Sequence, residues 1–264
     1  MSNHLLPVLY VLFVWWFSTG VILYLDGLPR WTFKWTMLFT TLLLGLALAG
    51  LYATRDDTRI TGAYLAFSCA VLVWAWQEVA FLLGYVTGPR RTACPPDAKG
   101  WRRAGFALQA VLHHELALIV LALAVVAVTW GGSNHTGLFT FMILWVMRQS
   151  AKLNVFLGVR NLNEGFLPAH LKYLQSYFTR ARMNSLFPVS VALSTWLAVL
   201  VWQGATSHGI GRFEATAATF SATLLSLAIL EHWFLVLPLP SEALWNWGLR
   251  SRKRALLEAK PKPL

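Results

Sequence analysis

Apolar side chains run along this chain in long stretches and do not alternate with polar ones. Seven stretches stand out, at 5–25, 35–53, 60–86, 104–130, 137–159, 186–206 and 215–237. A helix needs about 20 mainly apolar residues to cross the hydrocarbon of a bilayer, and each stretch is close to that length or above it. Most are apolar all round, without the one-sided stripe of a helix lying on a soluble core. The breaks between them are turn chemistry: Asp26-Gly27-Leu28-Pro29, the polar run Thr54–Arg59, the Pro/Gly/Arg-rich Gly88–Arg103, and Gly131-Gly132-Ser133-Asn134. The pattern predicts an all-α polytopic membrane helix bundle of seven transmembrane helices over residues 1–240. No stretch repeats the motif of another.

The fifth stretch needs separate support, because Arg148 and Lys152 interrupt it. Charge supplies it. With seven crossings, Arg30 and Lys34, then Arg90, Arg91, Lys99, Arg102 and Arg103, fall on one side. So do Arg148, Lys152, Arg160, Lys172, Arg180 and Arg182, with the basic residues from Arg250 onward. Only Arg55, Arg59 and Arg212 of the 22 Lys and Arg fall on the other side. Lys and Arg mark the cytoplasmic face, so the N-terminus is expected in the periplasm and the C-terminus in the cytoplasm. With six crossings the basic clusters would face opposite sides.

Composition narrows the class further. Only 12% of residues are charged and 57% are apolar, where a soluble domain carries about 25% charged residues. The net charge of +11 is confined to the connections and the tail, where it meets lipid headgroups, and nucleic acid is not expected as a partner. Cys69 lies within a span and Cys94 in a loop, so no disulfide is expected between them. Met1–His4 lacks a basic leader, and 5–25 reads as a retained helix. Two segments, Pro168–Phe178 and the basic amphipathic tail 241–264, read as cytoplasmic interfacial helices. Trp31, Trp35, Trp101, Trp130, Trp245 and Trp247 read as an aromatic belt. Gly84-x-x-x-Gly88 is a weak signal for close helix packing.

Candidate chemistry lies in the ionisable groups inside spans. These are Glu78 in the third, His113, His114 and Glu115 in the fourth, Arg148 and Lys152 in the fifth, and Glu231 and His232 in the seventh. At about 1.5 Å per residue, Glu78 is expected roughly 12 Å from the cytoplasmic end of its helix and His113–Glu115 roughly 14–16 Å from theirs. Arg148 and Lys152 come at roughly 10–16 Å and Glu231/His232 at roughly 8–9 Å. Helices of alternating direction thus bring the groups into one layer.

Three readings of that layer stay open. The first is an ion-pair network, with Arg148 and Lys152 neutralising the glutamates, because intramembrane charges are normally paired. The second is a metal site for iron, zinc or manganese, using His113, His114 or His232 with Glu78, Glu115 or Glu231. Neighbouring helical residues point about 100° apart, so His113, His114 and Glu115 cannot all face one ion. The third is axial ligation of a tetrapyrrole by one histidine. No nucleophile elbow, P-loop, zincin or dinucleotide motif is present, so whether the chain is an enzyme is left open, with the balance toward a non-catalytic role.

Several blocks resemble a known family. They are LFVWWFSTGVILYLDGLPR (12–30), TGPRRTACPP (87–96), HHELAL (113–118), LWVMRQSAKLNVFLGVRNLNEGFLPAHLKYLQSYF (144–178) and LEHWFLVLPLP (230–240). Together they are similar to the photosynthetic complex assembly proteins of purple phototrophic bacteria, the member encoded beside the reaction-centre H subunit gene. The resemblance implies an accessory factor of the bacterial inner (intracytoplasmic) membrane, serving assembly of the reaction centre or antenna or the supply of bacteriochlorophyll. It implies membrane lipid and reaction-centre, light-harvesting or bacteriochlorophyll-biosynthesis proteins as partners, and a bacteriochlorophyll-type tetrapyrrole among the cofactors to consider. The alternative is a membrane subunit of a metal-dependent or redox enzyme of bacteriochlorophyll synthesis, with a proton or small-solute carrier ranked last.

Overall fold

The computed structural model describes residues 2–252. Among the described residues the chain forms seven α-helices: α1 (Ser2–Asp26), α2 (Phe33–Thr54), α3 (Ile60–Leu82), α4 (Gly100–Thr129), α5 (Thr136–Leu157), α6 (Leu186–Ala205) and α7 (Arg212–Val236). Four short 3₁₀ segments lie in the connections and after α7, and the only strand-like pairing among the described residues is one isolated bridge, Val159 with Arg180. All of the helices except α5 are long and apolar enough to cross a membrane. Arg148, Gln149, Lys152 and Asn154 lower the apolar content of α5, yet it packs against four other helices, α3, α4, α6 and α7.

Glycine decides two of the helix ends. Gly84, at φ +84°, stops α3 near Leu82, earlier than the apolar stretch to Val86 suggests, and the Tyr85 and Val86 N–H groups cap the Ala80 carbonyl. Gly158, at φ 134°, ends α5 at Leu157. At its start α4 gains a basic turn, Trp101–Arg103, that hydropathy alone placed in the loop.

Contacts between connections sort the helix ends into two groups. At one end the α4–α5 turn clamps the α2–α3 turn: the Asn134 side chain donates to the Thr54 and Asp57 carbonyls at 3.1 Å each. Beside it, hydrogen bonds from Arg59 hold the half-buried Asp57 carboxyl down to about 2. At the opposite end Arg103 of α4 donates to the Phe156 carbonyl of α5. The side chain of Asn161 donates to carbonyls at the end of α7, and His170 Nε2 donates to the Leu82 carbonyl of α3 at 2.9 Å. The helices therefore alternate in direction along the chain.

The segment between α5 and α6 packs as a plug at this second end. Its nine-residue 3₁₀ helix, Ala169–Tyr177, has three residues per turn, which puts Leu171, Leu174 and Tyr177 in one row. That row is buried against Leu82 and Ala110, so the apolar side expected to lie on lipid packs on protein. The tail behaves likewise: Trp245 and Leu249 are buried against Leu23 of α1, which removes Trp245 from the expected aromatic belt. Trp31, Trp35, Trp101 and Trp130 are exposed as a belt requires. Residues 253–264, the most basic part of the expected tail, lie outside the described residues. Both cysteines are free.

Candidate functional site

Between the helices, at the end closed by the plug, lies a cavity of about 870 Å³. It is large even among ligand sites, which span about 300–1,000 Å³. Side chains of α1, α3, α4, α5 and α7 line it, with the plug and Trp245 closing its end. Helices α2 and α6 contribute nothing to the lining and brace the bundle from outside. The walls are mainly apolar and rich in aromatics, among them Trp15, Trp74, Phe81 and Trp245.

The polar lining is the intramembrane layer. Arg148 Nη2 donates to Glu78 Oε2 at 3.2 Å, and Lys152 Nζ to Glu115 Oε1 at 2.5 Å. Gln149 adds a bond from its amide to the second Glu115 oxygen. The alternation of helix direction places α3 and α4 carboxylates opposite α5 cations, and Arg148 and Lys152, four apart, share a face of α5. The depths differ from the estimates made from the sequence. Glu78 lies only about 6 Å from the end of α3 and Glu115 about 22 Å from the start of α4, because α3 stops early and α4 starts early. The groups still meet, since α4 overshoots its neighbours by several turns. Loop residues 87–90 run beside that overshoot. There Gly88 approaches the Gln109 and Ala110 backbone so closely that a Cβ would lie 2.1 Å from the Gln109 carbonyl.

Among the described residues no cation pairs directly with Glu231. Its carboxylate accepts the Trp15 indole N–H at 2.7 Å. Its side chain is exposed and lines the cavity. Arg148 does the same, with 47% of its side chain free.

The histidines separate into three situations. His113 points to the exposed outer face of α4, away from the layer. His232 is buried in the wall with both ring nitrogens engaged, Nε2 with Ser150 Oγ and Nδ1 with the Ala228 carbonyl. His114 lines the cavity, is 3% exposed, stacks obliquely on Phe81 at 4.5 Å, and its buried Nδ1 has no hydrogen-bond partner among the described residues. Among the described residues no three His, Cys, Asp or Glu side chains gather as they would around a metal ion. Ion pairing accounts for Glu78, Glu115, Arg148 and Lys152, while Glu231 and His114 remain available.

Sequence reasoning missed three participants. Trp15 and Gln149 are neutral, and nothing local marks them as partners of buried carboxylates. Asp26 reads as a helix breaker, yet it is buried and bound by Arg252 through two hydrogen bonds of 2.5 and 2.6 Å. The same guanidinium donates to the Gly165 and Phe166 carbonyls, so one side chain ties α1, the plug and the tail together. Each Trp16 and Trp245 indole N–H also donates to a carbonyl across this seam.

No solved structure matches the chain. It is 42% identical over 272 residues to a Rhodobacter capsulatus protein described as "Uncharacterized 30.4 kDa protein in puhA 5'region", with 95% of this chain and 93% of that protein covered. A family model described as "Protein of unknown function (DUF3623)" matches residues 1–256. With both likenesses running over almost the whole length, the chain belongs to the DUF3623 family.

Proposed function

We propose that the protein crosses the bacterial inner (intracytoplasmic) membrane seven times, plug and tail on the cytoplasmic side. We further propose that it is a non-catalytic accessory factor for photosynthetic complexes, holding a pigment-type ligand in its cavity for reaction-centre or antenna assembly, or for bacteriochlorophyll supply. The observation that carries this reading is the cavity itself: aromatic walls around a polar layer suit a large ligand with an apolar body and a polar edge. The relative's printed location in the 5′ region of puhA supports the photosynthetic setting, as does the resemblance to proteins encoded beside the reaction-centre H gene. The seventh crossing is supported by the enclosure of α5 among four helices, which lets its cations meet carboxylates and spares them from lipid.

A purple phototroph lacking this gene tests the reading. The deletion is expected to lower reaction-centre absorbance and bacteriochlorophyll content, and the wild-type gene to restore both. An Ala75→Trp variant, which fills the cavity from α3, is expected to accumulate in the membrane without restoring them. Normal complexes in the deletion strain, or full restoration by Ala75→Trp, would overturn the proposal. Stoichiometric iron or zinc in the purified protein would transfer support to the enzymatic alternative.

A further inference from the structure

The cavity contains one uncommitted imidazole, and its surroundings specify what it could bind. His114 is a neutral-ligand type, buried, free of hydrogen bonds to its buried Nδ1, and part of the lining. The other imidazoles are not equivalent, since His113 faces outward and both His232 nitrogens are taken. Among the described residues no three His, Cys, Asp or Glu side chains gather around His114, so an ion would find one nitrogen ligand here and no full protein coordination shell. A metal that brings its own equatorial ligands needs only that one. Beside His114 lie flat aromatic surfaces, Phe81 in direct ring contact and Trp15 and Trp74 in the walls. Arg148 supplies the polar contact for a ring substituent: of its five N–H donors one is spent on Glu78, and half the side chain is open to the cavity.

We infer that the cavity binds a metal-centred tetrapyrrole, with His114 as axial ligand and Arg148 facing a carbonyl or carboxylate at the ring edge. This rests on the pigment-holding reading and narrows it to a ligand with its metal in place. Leu108 of α4 and Leu153 of α5 both line the cavity and are each 53% exposed. They mark the gap between these helices as the way in from the lipid. It lies between the Arg103–Phe156 tie and the Glu115 bonds to α5.

The test uses the full chain purified in detergent, titrated separately with zinc protoporphyrin IX and metal-free protoporphyrin IX, followed by the Soret band and tryptophan quenching. The zinc form is expected to bind tighter and to shift its Soret band as a fifth ligand is added. His114→Gly should bring zinc-porphyrin affinity down to that of the metal-free ring, a loss of at least the tenfold or so that even an outer-shell change costs a metal site. Added imidazole should restore the shift in His114→Gly, which a merely unfolded variant would not show. His113→Ala should bind as wild type. Equal affinity for both rings, no binding of either, or a His114→Gly variant that keeps the shifted band would overturn axial ligation. Those results leave the accessory role standing if Ala75→Trp still fails to complement, so the two failures are separable.

Discussion

At the scale of single residues, the chemistry of the layer is set by which charges have partners. Glu78 is buried and depends on Arg148, whose own side chain is half open to the cavity. Removing one partner of a fully buried pair costs about 3–5 kcal/mol, and the open side of Arg148 lowers that here. Arg148→Met is therefore expected to cost up to about 3 kcal/mol. The double variant Glu78→Gln/Arg148→Met should recover most of the loss, because no unpaired charge remains. Thermal unfolding of wild type, Glu78→Gln, Arg148→Met and the double variant in one detergent checks this: a double variant no better than Arg148→Met would show that the pair is not coupled. The same bookkeeping separates Glu231, bound only by the Trp15 indole, from the two paired glutamates.

At the scale of elements, the plug is held to the bundle by contacts that report pH. His170 lies in the 3₁₀ helix of the plug, outside the spans, and burial pushes its pKa below the ordinary 6.5. The folded protein thus takes up this proton less readily than the unfolded chain. Its contribution to stability is complete above pH 6.5 and is lost as the pH falls below that value toward the folded-state pKa. Melting temperature is expected to drop between pH 7 and pH 5, with a smaller drop in His170→Gln. An identical drop in the variant would assign the effect elsewhere. Element positions were legible from hydropathy to within a few residues, because unbroken apolar runs leave few alternatives. The exceptions have physical causes: Gly84 stops α3 inside an apolar run, and the amphiphilic start of α4 continues into a basic turn. The candidate layer was legible because charges inside apolar runs are conspicuous, and Glu78, Glu115, Arg148 and Lys152 do meet. Its neutral partners were not, since Trp15 and Gln149 look like any wall residue. The seam through Asp26 and Arg252 joins residues 226 apart in sequence, and no local pattern announces such a contact.

At the scale of the whole molecule, five helices enclose the cavity and two brace it, with alternating directions that bring most of the positive charge to the plugged end. Reporter fusions placed in the Pro95–Asp97 loop and after Arg252 are expected to respond as cytoplasmic at both sites, and one in the Gly131–Asn134 turn as periplasmic. Fusions in the loop and the tail reporting opposite sides would mean that α5 does not traverse the bilayer.

The seam also fixes an order of events during synthesis. Asp26 is made early, yet its partner Arg252, and the Trp245 that covers the chamber, follow α7. The contacts that fasten α1 to the tail are therefore among the last that can form, after every helix of the bundle has been made.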